Sequence, residues 1–230
     1  MPNPLVSTVI PVYQGERFIE RALASVFAQE YGPLEVIVVD DGSSDGGAAL
    51  AAAHAGVRCL RQPNHGVPVA RNAGIAATRG EFIAFLDQDD AWLPGKLHAQ
   101  MRRMRERPEL RYVVARQRMA LAPGAQVPAW LRRGLLDEDQ SGFLPSTLLA
   151  RRSAFDEVGP FDPGLSTVSD LDWFVRARDM GVPMEMLPEV LVQRWVHDSN
   201  HSSQVRNHRA ELLRVLHRSL RRRGEVRAPR

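Results

Sequence analysis

Carboxylates are concentrated at two places in the sequence, and each group directly follows a short apolar run. Asp87, Asp89 and Asp90 come after the apolar run at residues 82–86. Like charges this close raise one another's pKa unless a cation compensates them. Mg²⁺ and Mn²⁺ prefer oxygen ligands and can bridge to the oxygens of a diphosphate. This group therefore predicts a divalent metal site, and the open alternative is an exposed acidic loop before the next helix.

Asp40 and Asp41 form the second group, after the apolar run at residues 36–39. In open α/β sheets, ligands bind beyond the carboxyl ends of the strands. Carboxylates at that place could accept hydrogen bonds from a nucleotide base or a ribose. A solvated turn, with Asp45 near the N-cap of the next helix, explains Asp45 well but explains two consecutive carboxylates less well. Both interpretations stay open on this segment alone.

The elements that must position these groups alternate between strand-like and helical patterns. The first half predicts strands at residues 6–12, 34–39, 57–60 and 81–86, with helices at 16–29, 45–55, 67–78 and from Pro94. Such alternation indicates βαβ units and a parallel sheet. We therefore expect a Rossmann-like α/β layer in the first half of the chain.

The second half has a less regular pattern. It predicts strands at residues 112–118, 143–149 and 184–196, helices at 152–158 and 169–180, a loop excursion at 120–140, and an arginine-rich final helix. Ser169 is a suitable N-cap for its helix, because its hydroxyl can accept a hydrogen bond from a free backbone N–H. The pattern gives no internal repeat.

Length and composition limit the classes of protein. A chain of 230 residues with 44% hydrophobic residues can bury one substantial core. The apolar runs are far shorter than the roughly 20 residues of a membrane-spanning helix, and the N-terminus lacks the pattern of a secretion signal. A single cysteine, Cys59, allows no internal disulfide. We therefore expect one cytoplasmic domain with appendages.

The arginine-rich stretch at residues 206–230 gives the +3 net charge an uneven distribution. A solvated helix face explains it, and so does peripheral contact with an anionic membrane. We expect no nucleic-acid partner. The sequence has neither a P-loop nor a dinucleotide-binding glycine fingerprint, so the ATPase and dehydrogenase interpretations lose their main support.

Four motifs taken together resemble the family 2 glycosyltransferases. They are VIPVY at residues 9–13, VVDDGSSD at 38–45, NHG at 64–66 leading to ARNAG at 70–74, and FLDQDD at 85–90. The resemblance covers residues 5–106 strongly and continues more weakly, through segments at 159–162, 169–173 and 197–200, to about residue 203.

The resemblance implies a GT-A fold, in which helices flank a Rossmann-like central mixed sheet. It implies a domain at residues 1–203, with a nucleotide-sugar-binding half at 1–106 and a less regular acceptor half at 107–203, followed by a basic helix and tail at 204–230. The implied activity is inverting transfer of a sugar from a nucleotide-diphosphate donor, commonly a UDP-sugar. The implied acceptor is a hydroxyl on a saccharide, a lipid-linked saccharide or another molecule, and the implied cofactor is Mn²⁺ or Mg²⁺.

The resemblance also implies roles for single residues of the donor site. Donor-binding positions are Pro11 and Tyr13 around the base, Asp41 with Asp40 beside it on the base, Arg71 near the nucleotide, and Asp87 and Asp89 of the Asp-x-Asp motif. Asp89, Asp90 and His197 are the implied metal ligands, although a surface loop would also explain His197.

Asp170 matches the catalytic base of the family, at the start of a helix. A carboxylate there can take the proton of the acceptor hydroxyl as its oxygen attacks the anomeric carbon. The chain departs from the family in having Ser169 where an acidic residue is common, so Asp172 could share or exchange roles with Asp170. Charge pairing at a helix N-terminus is the open alternative for both carboxylates.

Two other functions stay open beside glycosyl transfer. A sugar-1-phosphate nucleotidyltransferase would need a glycine-rich basic first loop, but residues 11–15 read PVYQG. A catalytically silent binding or scaffold protein would have a broken metal motif or no base. Processive polysaccharide synthesis is not expected, because QRW at residues 193–195 lacks the two intervening residues of the Gln-x-x-Arg-Trp motif.

Overall fold

The computed structural model describes residues 3–128, 131, 133–136, 138–198 and 208–227. Its strands are β1 (Val6–Val12), β2 (Leu34–Asp40), β3 (Val57–Arg61), β4 (Phe82–Phe85), β5 (Ala91–Trp92), β6 (Tyr112–Leu121), β7 (Leu149–Arg151) and β8 (Met184–Val196). Its α-helices are α1 (Ile19–Phe27), α2 (Gly47–Ala53), α3 (Val67–Ala77), α4 (Lys96–Glu106), α5 (Arg152–Val158), α6 (Ser169–Asp179) and α7 (His208–Arg227). Two short 3₁₀ turns lie at Arg133–Leu136 and Pro145–Thr147.

The strands form one mixed sheet in the order β3-β2-β1-β4-β7-β6-β8-β5. β1 pairs in parallel with both β2 and β4, and β2 pairs in parallel with β3. The sheet is mixed because β7 is antiparallel to β4 and to β6, and β5 is antiparallel to β8. The expected parallel layer in the first half is confirmed, and so is the expected mixed sheet.

The register of the parallel strands brings the two acidic groups to one edge of the sheet. Val12 of β1 lies opposite Asp40, and Val9 lies opposite Phe85. The carboxyl ends of β1, β2 and β4 are therefore neighbours, and the loops that follow them start side by side. Ligand sites in open α/β sheets occupy this kind of edge.

Helices cover both faces of the sheet, because each presents one apolar stripe. The buried residues of α1 recur at helical spacing, at Ile19, Ala22, Leu23 and Val26. They pack on one face of the sheet with Ile10 and Val38. On the other face, an aromatic cluster contains Phe85, Tyr112, Phe155, Phe161 and Trp173. Full burial of one such side chain stabilises the fold by about 1.5–3 kcal/mol. The two layers of buried side chains therefore stabilise the sheet whose edge carries the site.

Several predicted boundaries are wrong, and each has a local cause. The predicted strand at residues 143–149 is instead a 3₁₀ turn at Pro145–Thr147, closed by the Leu148 N–H, which donates to the Pro145 carbonyl oxygen. Val168, not Ser169, occupies the N-cap of α6. The helix predicted to open at Pro94 begins at Lys96, because Gly95 adopts a φ of +80° before it.

No helix among the described residues is both long enough and apolar enough to cross a bilayer.

Candidate functional site

The buried Arg71 forms an ion pair with the half-buried Asp87 at the site edge of the sheet. Nη2 of Arg71 donates to Oδ1 of Asp87 at 2.6 Å, and only 6% of the Arg71 side chain is exposed. α3 carries Arg71 close to β1 because Gly74 has no side chain: a Cβ there would lie 2.2 Å from Cγ1 of Val9. The guanidinium also lies 5.6 Å from the ring centroid of Phe161. The ARNAG motif therefore supplies both the cation and the glycine that positions it.

Asp89 and His197 face each other, although 108 residues separate them. Nε2 of His197 lies 3.0 Å from Oδ2 of Asp89, and His197 is 3% exposed. The ring of Phe18, just before α1, stacks on the imidazole at 4.3 Å. Burial would raise the pKa of Asp89, but the hydrogen bond and charge of His197 outweigh it and hold the pKa below its usual range. The pairing excludes the surface-loop interpretation of His197.

Arg21 binds the backbone of the same acidic loop. Its Nη2 donates to the carbonyl oxygen of Asp89 at 3.0 Å, and its guanidinium lies 4.7 Å from the ring centroid of Trp195. Burial lowers the pKa of Arg21, and the charges of Asp89 and Asp90 oppose that effect. α1 thus braces the acidic loop and the end of β8 together.

Asp90 is a buried carboxylate in a field of like charge. Its Oδ2 accepts a hydrogen bond from Oγ of Ser146 at 2.8 Å, and the same hydroxyl oxygen accepts the N–H of Asp87. Burial raises the pKa of Asp90 well above its usual range, and the neighbouring charges of Asp89 and Asp87 raise it further. The raised pKa of Asp90 thus follows from its burial and from the closeness of the three carboxyl groups in this loop.

The residues fit a divalent cation in part. Carboxylate oxygen and imidazole nitrogen are donors that Mn²⁺ accepts, and Asp89 and His197 already lie within hydrogen-bond distance of each other. Asp90 points to Ser146 instead, and the described residues contain no group of three His, Cys, Asp or Glu side chains arranged to hold a metal. The joint role of Asp89, Asp90 and His197 as ligands stays a prediction.

The 3₁₀ turn that carries Ser146 is fastened by a buried polar cluster on α4 and β5. Lys96 is fully buried, its Nζ donates to Oε1 of Gln100, and it lies 4.1 Å from the ring centroid of Trp92. Gln100 and Trp92 in turn donate to the backbone carbonyls of Thr147 and Ser146. Burial alone lowers the pKa of Lys96 well below its usual value. This cluster fixes the position of the hydroxyl that binds Asp90.

Asp170 lies at the second position of α6, close to the Arg71–Asp87 pair. Its Oδ1 accepts the N–H of Leu171 at 2.8 Å. Burial raises the pKa of Asp170, the charge of Arg71 opposes that rise, and the charge of Asp87 adds to it. A carboxylate with a raised pKa is better matched to proton transfer near neutral pH.

Asp172 has a structural role that Asp170 lacks. Its Oδ2 accepts a hydrogen bond from Nε of Arg176, one turn later on α6, at 2.7 Å, and Asp172 is 1% exposed. Arg176 also donates to backbone carbonyl oxygens of Val158 and Pro160. Of the two carboxylates, Asp172 is committed to packing α6 against the preceding turn, which favours Asp170 as the base.

Asp40 and Asp41 are used within the protein itself. The carboxylate of Asp41 accepts three hydrogen bonds, from Nε2 of Gln62 and from the N–H groups of His65 and Gly66, at 2.7–2.9 Å. Oδ1 of Asp40 accepts the N–H of Ser43 at 2.9 Å. Both carboxylates shape the loops after β2 and β3, and their contact with a nucleotide base stays a prediction.

Pro11 lies in β1 and Tyr13 directly follows that strand, so both lie beside this edge of the sheet. Pro11 is buried, opposite Val39, whereas Tyr13 is 47% exposed. The backbone N–H and C=O of Tyr13 pair with the side chain of Gln88 at 2.9 and 3.0 Å. Gln88 therefore ties the first loop to the acidic loop and leaves the tyrosine ring accessible for a planar ligand.

Sequence reasoning missed four residues that organise the site: Phe18, Arg21, Gln88 and Ser146. Gln88 had a signal, since it sits inside the acidic motif. Ser146 had none, because its segment was interpreted as a strand.

Comparison with known proteins finds relatives by sequence and by fold. An uncharacterized glycosyltransferase of Rickettsia typhi is 30% identical over 86% of this chain and 65% of its own length. The mannosyltransferase PcManGT from Pyrobaculum calidifontis, solved with GDP-Man and Mn²⁺, superimposes with a TM-score of 0.72 at 18% identity, over 95% of this chain and 64% of its own. S. aureus TarS 1-349, solved with UDP-GlcNAc, gives a TM-score of 0.69 at 18% identity, over 89% of this chain and 61% of its own.

The chain thus spans less than two thirds of the length of these relatives, and one Rickettsia felis relative is matched over only 37% of its length. The structural likeness confirms the GT-A fold that the motifs implied. The model of the family described as glycosyl transferase family 2 matches residues 7–158, which is more than half of the chain. The chain therefore belongs to glycosyl transferase family 2.

Proposed function

We propose that this chain transfers a sugar from a nucleotide-diphosphate donor, a UDP-sugar, to a hydroxyl acceptor with inversion at the anomeric carbon. One observation carries the proposal: Arg71 is ion-paired with Asp87 of the acidic loop after β4 at 2.6 Å, and the charges of both act on the carboxylate of Asp170. A donor-binding group and a base must lie this close for a single displacement, because both act on the same anomeric carbon.

The donor lies along the carboxyl edge of β1, β2 and β4. In this arrangement the exposed ring of Tyr13 flanks the base, with Pro11, Asp40 and Asp41 forming the wall behind it. Arg71, paired with Asp87, provides positive charge toward the nucleotide end. TarS has been solved with UDP and with UDP-GlcNAc, and PcManGT with GDP-Man, which supports a nucleotide-sugar donor and makes UDP and GDP the nucleotides to test.

Asp89, Asp90 and His197 would hold Mn²⁺ or Mg²⁺. A bound cation supplies Lewis-acid stabilisation of the departing diphosphate. Support comes from the 3.0 Å contact between the carboxylate of Asp89 and the imidazole of His197, and from the Mn²⁺ in the PcManGT complex. The protein's own part is to hold the carboxylate of Asp89 against His197, through Phe18 on the ring and Arg21 on the backbone.

Asp170 accepts the proton of the acceptor hydroxyl. As that oxygen forms its bond to the anomeric carbon, the bond from this carbon to the diphosphate oxygen breaks and the nucleotide diphosphate leaves with the electron pair. The N–H of Leu171 holds one oxygen of Asp170 in place, which leaves the other for the proton. The acceptor is a saccharide, a lipid-linked saccharide or another hydroxyl compound, and the cytoplasmic setting stays a prediction.

Titration calorimetry with UDP, GDP and dTDP, each with and without Mn²⁺, tests the donor assignment. We expect one nucleotide to bind with a metal-dependent affinity, and Asp89→Asn to weaken that binding by at least about tenfold, since it removes a charged ligand. Asp156→Asn is the matched control, because Asp156 is an exposed carboxylate on α5. Failure of all three nucleotides to bind the wild-type protein would contradict the proposal and favour a silent scaffold.

A further inference from the structure

The helix α7 has two faces of different chemistry. Its inner face carries Glu211, Val215 and Ser219, each 3% exposed, and packs on α6. Its outer face carries Leu213, Leu216 and Leu220, which are 66%, 57% and 60% exposed. At about 100° per residue, the three leucines fall within a sector of about 60°, on the side of the helix away from the core. They form a continuous apolar line, which we call the leucine ridge.

Contacts at both ends of α7 fix its rotation about its own axis, so the helix cannot turn to bury the leucine ridge. The carboxylate of Glu211 accepts four hydrogen bonds, from the backbone N–H and the hydroxyl of both Ser166 and Thr167, at 2.8–3.1 Å. At the other end of the helix, Arg222 and Arg223 both donate to Asp179 of α6. Rotation would break these contacts at both ends and expose Val215, so the leucine ridge stays outward in the folded protein.

The charges that surround the leucine ridge are positive. Arg209, Arg214 and Arg221 are exposed on α7, and His217 lies between the last two leucines. Between His208 and Gly224, α7 has one acidic residue, Glu211, and it is buried. A second copy of this face would bring like charges together, so charge complementarity favours an anionic partner.

We infer that α7 docks on an anionic lipid surface, with the leucine ridge inserted among the acyl chains and the flanking arginines at the phosphate level. A convex helix with leucines on one face and arginines beside them matches the interfacial amphipathic helix, whose affinity combines buried apolar area with attraction to anionic lipid. An acidic protein would instead have to offer a groove along the 20-residue helix. The docking does not depend on the transferase activity. It assigns the arginine-rich C-terminal stretch a role in binding lipid.

Docking through this face would orient the catalytic half of the chain. Glu211 binds Ser166 and Thr167, which lie just before α6 and its Asp170. The helix that contacts lipid therefore also holds the loop that leads to the base. An acceptor presented at the membrane surface would approach this side of the molecule.

Vesicle cosedimentation of the full chain tests the inference, with phosphatidylcholine vesicles that contain or lack phosphatidylglycerol. We expect binding to the anionic vesicles, weakened by added salt because surface charges are screened. A variant with Leu213→Ser, Leu216→Ser and Leu220→Ser should lower the partition coefficient by at least about tenfold. A second variant, Arg209→Gln with Arg221→Gln, should lower it by at least about fivefold.

Phe27→Ser is the matched control, because Phe27 is 39% exposed on α1, in the other half of the chain, and its loss should leave vesicle binding unchanged. The thermal midpoint of each variant should stay within a few degrees of the wild type, since the substituted side chains are exposed. Three results would each overturn the inference. They are no binding of the wild type to anionic vesicles, equal binding by the leucine variant, and concentration-dependent self-association that the leucine variant abolishes without any lipid binding.

Discussion

Two buried carboxylates of this protein, Asp90 and Asp179, have opposite environments. Asp179, at the end of α6, receives hydrogen bonds from Ser219 and from three arginines, and these lower its pKa to about 2 against the effect of burial. Asp90 has one hydroxyl donor and two acidic neighbours, so burial and like charge raise its pKa well above the usual range. The difference shows that the neighbours, and not burial alone, decide whether a buried carboxylate stabilises the fold.

The same contrast separates two regions of the molecule. At the seam between α6 and α7, Asp162, Asp179 and Glu211 are all paired with donors from the other side. In the acidic loop after β4, three carboxyl groups lie close together, and burial and like charge raise the pKa of Asp90. A region that stores such charge is destabilised until a ligand compensates it, which is the expected cost of a functional site.

The largest effect is expected from Asp170→Asn, which removes the proposed base. Turnover should fall by at least about 100-fold, because an amide cannot accept the proton, whereas donor affinity should change little. Steady-state kinetics and nucleotide titration of the same preparation measure the two quantities, with Asp156→Asn as the control. Normal turnover in Asp170→Asn would refute the assignment of the base.

Glu211→Gln should have the next largest effect, on stability. The pKa of Glu211 falls from 4.5 to about 2, since its hydrogen bonds from Ser166 and Thr167 outweigh burial. The variant should lose about 2 kcal/mol at neutral pH, or a thermal midpoint lower by about 4–8 °C for a chain of this size. Urea unfolding measures the loss, and Glu106→Gln, on the exposed side of α4, is the matched control.

The stabilisation by the carboxylate of Glu211 should depend on pH. Because the folded pKa of Glu211 is depressed, its stabilisation is complete above pH 4.5 and is lost as the pH falls toward 2. The difference in unfolding free energy between the wild type and Glu211→Gln should therefore shrink between about pH 5 and pH 2. A difference that stays constant over this range would show that the carboxylate charge contributes nothing.

Asp90→Asn should have the smallest effect and the opposite sign. A carboxyl group whose pKa is raised in the folded state makes folding less favourable as the pH rises above the unfolded value, so the amide should stabilise the metal-free protein at neutral pH. We expect a gain of about 1 kcal/mol. Thermal unfolding in a chelator measures it, and a loss of stability would mean that the loop is already compensated.

The alternation of strands and helices in the first half was predictable from local pattern. The runs before Asp40 and Asp87 are apolar and short, and parallel strands end at a common edge, so the meeting of the two acidic groups follows from the order of the elements. The interpretation of residues 143–149 was wrong, because a 3₁₀ turn with mixed polar and apolar residues has no periodicity of its own. The segments at 129–130 and 199–207, including the end of the weaker family resemblance, lie outside the described residues.

What the sequence by itself determined is the alternating elements of the first half, the family and the residues able to do chemistry, because these depend on residue type and spacing along the chain. The tertiary structure decided which of them meet. His197 reaches Asp89 across 108 positions, Ser146 reaches Asp90 across 56, and Glu211 holds the loop before Asp170. Hydrogen bonds and stacking act over a few ångströms and carry no local signal along the chain, so only the packing of the helices on the sheet could bring these groups together.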